Sequence, residues 1–126
     1  ELAHYSKVGA VRSGDILDVA RMPNGLLATI VGRVTAGVKR TAVGLSETRG
    51  AFRIATLHAD APRMQMRALN WLLSTPNDPC SFDGAVIVIN PKSGAFEIST
   101  AGDVGAALIV SPGKPKALRI PDSPAV

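Results

Sequence analysis

The sequence Pro23-Asn24-Gly25 stands between two apolar runs, and it constrains the fold more than any other segment of the chain. Proline presets the first turn angle, and Asn-Gly accepts the positive φ values that a tight turn requires. We therefore predict an antiparallel hairpin between a strand at 16–22 and a strand at 26–34.

The segment after Gly37 has the apolar spacing of a helix rather than that of a strand. Gly44 and Gly50 each lower its helix propensity by roughly 1 kcal/mol relative to alanine. We therefore expect the helix to depend on packing, with these glycines marking close contact with a sheet or another helix. Its apolar and small residues recur every three or four positions, on one face: Val38, Ala42, Leu45, Thr48, Ala51, Phe52 and Ala55.

A second helix is predicted to begin with Asp60 as its N-cap and Pro62 in its first turn, and to end near Ser74. Met66 is offset from the apolar stripe of this helix, so we predict that it is exposed. We interpret Met66 and Trp71 as possible contacts with a protein partner. Most of the stripe should pack against the sheet, since a helix beside a sheet buries one face: Met64, Ala68, Leu69, Trp71 and Leu72.

The rest of the chain is predicted to be extended. Residues 2–11 and 85–89 have the composition of strands, and residues 90–94 that of a turn. Residues 95–100 and 106–110 should complete a meander, followed by an irregular tail that contains four prolines. Strands, two helices and further strands predict an α+β fold in one domain over 1–126, with an antiparallel sheet flanked by two α-helices.

Composition narrows the range of functions. With 126 residues, 46% of them hydrophobic, the chain is long enough for one domain with a single core. No run approaches the roughly 20 apolar residues of a membrane span, and Cys80 is the single cysteine, so we expect a cytoplasmic protein without a membrane partner. The net charge of +4 comes from dispersed basic residues, which argues against a nucleic-acid partner.

Several short motifs occur in the order that one phosphatase family uses. Residues 13–19 read S-G-D-I-L-D-V, residues 32–36 read G-R-V-T-A, and residues 89–94 read I-N-P-K-S-G. Together with the Pro23-Asn24-Gly25 turn, this collinear set resembles the stage II sporulation E branch of the type 2C protein phosphatases, whose motifs are G-G-D-x-x-D-V, P-D-G, G-D-V-S-G and L-D-P-x-T-G. Shorter matches continue the same register: Arg49-Gly50-Ala51, Leu69-Asn70 and Ala101-Gly102.

The resemblance implies a layered type 2C phosphatase-like fold and a site in which aspartates and waters hold two Mg²⁺ or Mn²⁺ ions. Oxygen ligands suit these cations, and paired metals stabilise the attacking and leaving oxygens of phosphoester hydrolysis. Asp15 matches the first metal-ligand aspartate of the family. The aspartate of G-D-V-S-G is replaced by Arg33, whose guanidinium carries a positive charge and is not a metal ligand.

Further positions depart from the family pattern. The histidine of its N-A-G-H step corresponds to Asp103, and its last two metal-ligand aspartates belong to motifs downstream of residues 120–124, which the sequence does not contain. The resemblance thus implies a shortened fold without the C-terminal part of the family fold. Only Asp15 of the four metal ligands remains, and no cofactor is expected. The vestigial site would consist of four residues: Gly14, Asp15, Asp18 and Arg33.

Two arrangements of Arg33 remain open. The two strands of the hairpin are adjacent, so Arg33 can reach Asp15 or Asp18 and replace the metal–carboxylate attraction with an ion pair. Alternatively, Arg33 points into solvent and Asp15 caps a turn.

Three functions also remain open. The leading prediction is a catalytically deficient, phosphatase-like regulatory module of bacterial signalling, which binds a protein partner or an adjoining domain and forms homodimers through an uncovered sheet edge. The second is a divergent Mg²⁺- or Mn²⁺-dependent serine/threonine phosphatase, or a fragment of one, that acts on a phosphorylated regulatory protein. The third is an unrelated α+β binding domain.

Overall fold

The computed structural model describes residues 14–37, 41–74, 76 and 79–102, together with the backbone of 107–111 and 114–118. The predicted strand at 2–11 and position 103 lie outside these residues. The helices and strands follow each other in this order: β1 Asp15–Arg21, β2 Leu27–Thr35, α1 Thr41–His58, α2 Pro62–Leu73, β3 Ser81–Ile89, β4 Phe96–Ala101, β5 Ala107–Ser111 and β6 Lys114–Leu118.

The hairpin predicted around Asn24 is confirmed. β1 and β2 pair antiparallel, with Arg21 opposite Leu27 next to the turn. Gly25 has a φ of 85°, which a residue with a side chain rarely adopts. The Asn24 side-chain oxygen accepts a hydrogen bond from the Leu26 amide at 3.0 Å. Local turn chemistry therefore sets the register of the first two strands.

The described strands form a four-stranded antiparallel sheet in the order β1-β2-β3-β4 and a separate two-stranded sheet of β5 and β6. The α+β class, with an antiparallel sheet and two helices, is thereby confirmed. The predicted meander is wrong after β4, because β5 pairs with β6 rather than with β4. The irregular tail is also wrong at 114–118, where Pro115 lies opposite Val110; a two-stranded sheet tolerates proline because each strand has an unpaired edge.

The main core lies between one face of the four-stranded sheet and the two helices. Helix α1 packs over β1 and β2, and helix α2 packs over β3 and β4. Since alternate side chains of a strand point to opposite faces, the buried side chains of β1, β2 and β3 come mainly from every second residue, whereas β4 contributes Ala101. Its largest fully buried apolar side chains come from both layers: Phe52, Phe82, Ile30, Leu69 and Val86.

Helix α2 is rotated relative to the predicted stripe. Met66 is 6% exposed, so the prediction that it is accessible is wrong, whereas Trp71 is 78% exposed and Met64 is also exposed. The buried side of α2 has helical spacing and is mostly apolar, and the side-chain amide of Gln65 within it donates to the Ala59 carbonyl at 2.8 Å. Met66 is next to Gln65 on this side, whereas Trp71 lies on the outside.

The predicted N-cap of α2 is wrong by one residue. The cap position is Ala61, which has no side-chain cap, and Pro62 begins the helix as expected. The carboxylate of Asp60 instead accepts a hydrogen bond from the Asn24 side-chain amide at 3.4 Å. Asp60 thus links the start of α2 to the hairpin turn.

The two glycines of α1 have different surroundings. An added Cβ at Gly44 would lie 2.7 Å from the Ala36 Cβ and 3.5 Å from the Cys80 sulfur, so Gly44 allows α1 to approach the sheet layer. An added Cβ at Gly50 would meet no atom within 4 Å. The predicted close contact is therefore confirmed at Gly44, while Gly50 has no such neighbour.

Candidate functional site

Asp15 and Arg33 face each other at the far end of the hairpin, on the sheet face turned away from the helices. They are cross-strand partners, and Nε of Arg33 donates to Oδ1 of Asp15 at 3.0 Å. The ion-pair arrangement is therefore the one that the structure adopts. The two side chains are 70% and 47% exposed, so water screens the pair and limits its contribution to about 0–1 kcal/mol.

A third charged residue, Asp83 on β3, extends this row. Arg33 is the cross-strand partner of Asp83 as well as of Asp15, so the three residues lie side by side on one face of the sheet. Sequence reasoning missed Asp83 because the third strand was predicted to begin at 85. The signal that identifies it is the pairing register, which no local motif contains.

Two glycines of the matched motifs are required for backbone reasons. The carbonyl of Gly14 accepts a hydrogen bond from the Val34 amide at 2.8 Å, and an added Cβ there would collide with the Val34 carbonyl. Gly102 has a φ of 75°, and an added Cβ would collide with the Asp83 carboxylate. Both glycines thus hold backbone close to the charged row without supplying a ligand themselves.

Asp18 lies on the opposite face of the sheet, against α1. It is three positions from Asp15 in the sequence, and an odd offset in a strand places side chains on opposite faces. Nε and Nη2 of Arg53 donate to its two carboxylate oxygens at 2.8 and 2.7 Å, and Nε of Arg49 lies 3.9 Å away. The hydrogen bond from Arg53 lowers the pKa of the Asp18 carboxyl despite its partial burial. The structure therefore groups Asp15 with Arg33 and Gly14, but not with Asp18.

The residues that the structure describes around Asp15 do not fit a pair of divalent metals. Among the described residues, no three His, Cys, Asp or Glu side chains converge on one point. Arg33 places a guanidinium beside Asp15, and Asp18 is bound by Arg53 on the other face. Two adjacent dications require several oxygen ligands within about 2.0–2.6 Å of each metal, and the charged row offers two carboxylates with a cation between them.

No family model, curated protein or solved structure matches the chain. In the part of the chain that the structure describes, neither helix is long and apolar enough to cross a membrane.

The Arg33→Asp variant is expected to bind Mn²⁺ more tightly than the wild type does. The substitution would put a third carboxylate between Asp15 and Asp83, and like charges opposite each other destabilise a sheet by up to about 1 kcal/mol. A bound cation would remove that repulsion. We expect Mn²⁺ to raise the Tm of Arg33→Asp and to leave the wild type unchanged. Arg33→Gln is the matched control, since it removes the positive charge without adding a carboxylate; an equal Mn²⁺ response in the wild type would contradict this prediction.

Proposed function

We propose that this chain is a protein-binding module with a phosphatase-like scaffold and no phosphatase activity. The observation that supports the proposal is the ion pair between Arg33 and Asp15, with Nε and Oδ1 3.0 Å apart. In the family that the motifs resemble, the equivalent positions are both aspartates that bind metal. Here the chain supplies its own cation at that place.

The chemistry of the other carboxylates supports the same conclusion. Hydrolysis by a metal pair needs carboxylates that are free to bind cations and that point at a common centre. Asp18 is held by Arg53 beneath α1, and Asp83 lies against Gly102 with Arg33 between it and Asp15. Asp15 and Asp18 therefore form ion pairs within the fold, and Asp18 lies on the face of the sheet opposite to Asp15 and Asp83.

The wider proposal follows from the sequence resemblance. It includes the phosphatase-like layering and a role in bacterial signalling. It also includes binding of a protein partner or an adjoining regulatory domain, and homodimerisation through the edge of the sheet. Cys80 is a buried free thiol, which suits a reducing cytoplasmic compartment. The accessible indole of Trp71 supports partner binding, because tryptophan is among the residues that contribute most to interfaces.

Turnover of a generic phosphoester tests the proposal. We expect no hydrolysis of p-nitrophenyl phosphate above the buffer rate with Mn²⁺ or Mg²⁺, either by the wild type or by Asp15→Ala. Asp15→Ala is a mild change, since the side chain is half exposed and its pair with Arg33 is screened. Metal-dependent turnover by the wild type that disappears in Asp15→Ala would instead support the divergent phosphatase and overturn our proposal.

A further inference from the structure

A cavity of about 420 Å³ opens at the end of the sheet where three connections of the chain meet. These are the turn between β1 and β2, the junction between α1 and α2, and the turn between β3 and β4. The volume lies within the range of roughly 300–1,000 Å³ that small-molecule sites occupy. The residues that line the cavity are all outside the charged row: Leu26, Asp60, Ala61, Val88, Asn90, Ala95, Phe96 and Glu97.

Hydrogen bonds within these connections fix the walls of the cavity. The Asn24 side-chain oxygen accepts a bond from the Leu26 amide at 3.0 Å, and its nitrogen donates to Asp60 at 3.4 Å. In the turn before β4, the backbone amide of Asn90 donates to the Ala95 carbonyl at 2.8 Å. A ligand therefore meets walls that are already positioned, and it loses little affinity to the ordering of loops.

Two carboxylates line the cavity, and among the described residues no lysine, arginine or histidine does. Glu97 is the cross-strand partner of Val88, so both side chains lie on the sheet face that packs against the helices. Asp60 belongs to the junction between α1 and α2. Neither carboxylate forms an ion pair with a residue that the structure describes, unlike Asp15 and Asp18. The cavity is thus negatively charged in a chain whose net charge is +4.

The basic residues closest in sequence to the lining positions lie outside the cavity. His58, Arg63 and Lys92 are each within three positions of a lining residue, and all three are exposed. Exposed cations remain hydrated, and water and salt screen their effect on a neighbouring site. The carboxylates of the cavity therefore remain able to pair with a cation that enters it.

Most of the other lining residues are apolar. Leu26, Val88 and Phe96 are large, whereas Ala61 and Ala95 leave space because their side chains are short. Apolar walls favour a ligand with an apolar body, since its burial removes apolar surface from water. They also lower the local dielectric constant, so a charge pair formed there is stronger than one in open solvent.

We propose that this cavity binds a small organic cation, namely an amine or a guanidine with an apolar body. Its charged group pairs with the carboxylates of Asp60 and Glu97, and its apolar body packs against Leu26 and Val88. A divalent metal fits less well, because it requires several oxygen ligands and most of the lining is apolar. This inference is independent of the protein-binding function, since it uses no residue of the charged row.

An NMR titration of the full chain with four probes of equal chain length tests the proposal. The probes are n-hexylamine, n-hexylguanidine, n-hexanol and hexanoate, which differ in charge. We expect both cations to bind saturably, roughly tenfold or more tightly than n-hexanol, and hexanoate not to bind. The amide signals that shift should belong to residues 60–61 and 95–97. Affinity for the cations should fall as the salt concentration rises.

Glu97→Gln removes one charge from the cavity and should weaken the binding of n-hexylamine roughly tenfold or more. Ala95→Phe is a second variant, which keeps both carboxylates and fills the space; Ala95 is exposed, so the fold should accept the ring, and binding of both cations should be lost. Glu47→Gln is the matched control, because Glu47 is an exposed residue of α1 outside the cavity and the net charge changes equally. It should leave the affinity unchanged.

Several outcomes would overturn the proposal. Equal affinity for n-hexylamine and n-hexanol, an affinity unaffected by Glu97→Gln, or no saturable binding of either cation at millimolar concentration would each do so. Tighter binding of Ca²⁺ than of either cation would assign the carboxylates to a metal. Tighter binding of a lysine-containing peptide, lost in Glu97→Gln, would assign the cavity to a protein partner.

Discussion

The Gly32→Ala variant is expected to lose about 3 kcal/mol of unfolding free energy, at the upper end of the usual cost of overpacking. Gly32 and Gly84 are cross-strand partners on β2 and β3, and the fully buried ring of Phe82 occupies the space above both. An added Cβ at Gly32 would lie 2.7 Å from the Gly84 Cα and from a ring carbon of Phe82, and would collide with the Asp83 carbonyl. Backbone atoms of a paired strand do not move aside as a flexible side chain does. The substitution should therefore disturb the pairing of β2 with β3 and lower the free energy of unfolding.

Urea denaturation measures this loss, and the Tm should fall by on the order of 10 °C. Gly50→Ala is the control that makes the result specific to packing, because it is the same chemical change in open space. It should increase the unfolding free energy by about 0.5–1 kcal/mol through helix propensity. Equal effects of the two substitutions would show that the contact among Gly32, Gly84 and Phe82 is not as described.

The Arg53→Met variant is expected to lose about 1–2 kcal/mol at neutral pH, since a bond from a charged donor to a charged acceptor contributes more than a neutral one. Methionine retains the apolar stem of Arg53 and removes the donors to Asp18. The side chain of Asp18 is only 13% exposed. Without Arg53 its carboxylate would remain largely shielded from water, and the nearest cation among the described residues would be Arg49, whose Nε is 3.9 Å away. Arg67→Met is the control, because Arg67 is exposed and unpaired among the described residues; it should change stability by less than about 0.5 kcal/mol.

The pH dependence identifies the source of this stability. The pKa of Asp18 is lower in the folded chain than its ordinary value because of Arg53. The stabilisation is therefore fully present above the unfolded pKa of about 3.9 and is lost as the pH falls through the lower, folded pKa. The difference in unfolding free energy between the wild type and Arg53→Met should thus shrink between about pH 5 and pH 2. A difference that stays constant over this range would exclude the ionised Asp18 as its cause.

The ion pairs of Arg53 and Arg33 contribute unequally to the stability of the fold. Both join an arginine to an aspartate of β1, but Asp18 lies beneath a helix and accepts two bonds from the Arg53 guanidinium, whereas Asp15 is half exposed and accepts a bond from Nε of Arg33. Burial and bidentate geometry make the first pair a stabilising contact. The second is screened by water and contributes little to folding.

The amino-acid sequence alone determined the parts of the fold that depend on neighbouring residues. Pro23-Asn24-Gly25 predicted the first hairpin, and 90–94 predicted the turn before β4, in which Gly94 has a φ of 74° and Asn90 accepts bonds from the next two amides. The change to three- and four-residue spacing predicted both helices. Turn angles and helical faces follow from interactions within a few residues, and such interactions can be read along the chain.

Only the tertiary structure decided which side of α2 is buried and which charges meet. Met66 packs in the core on the same side of the helix as Gln65 and Leu69, and Trp71 is left in solvent. Arg53 reaches Asp18 across 35 positions of the chain, and the register of β3 places Asp83 beside Arg33. These outcomes depend on the rotation of a helix and the register of distant strands, which are set by the packing of the whole core and not by any local pattern.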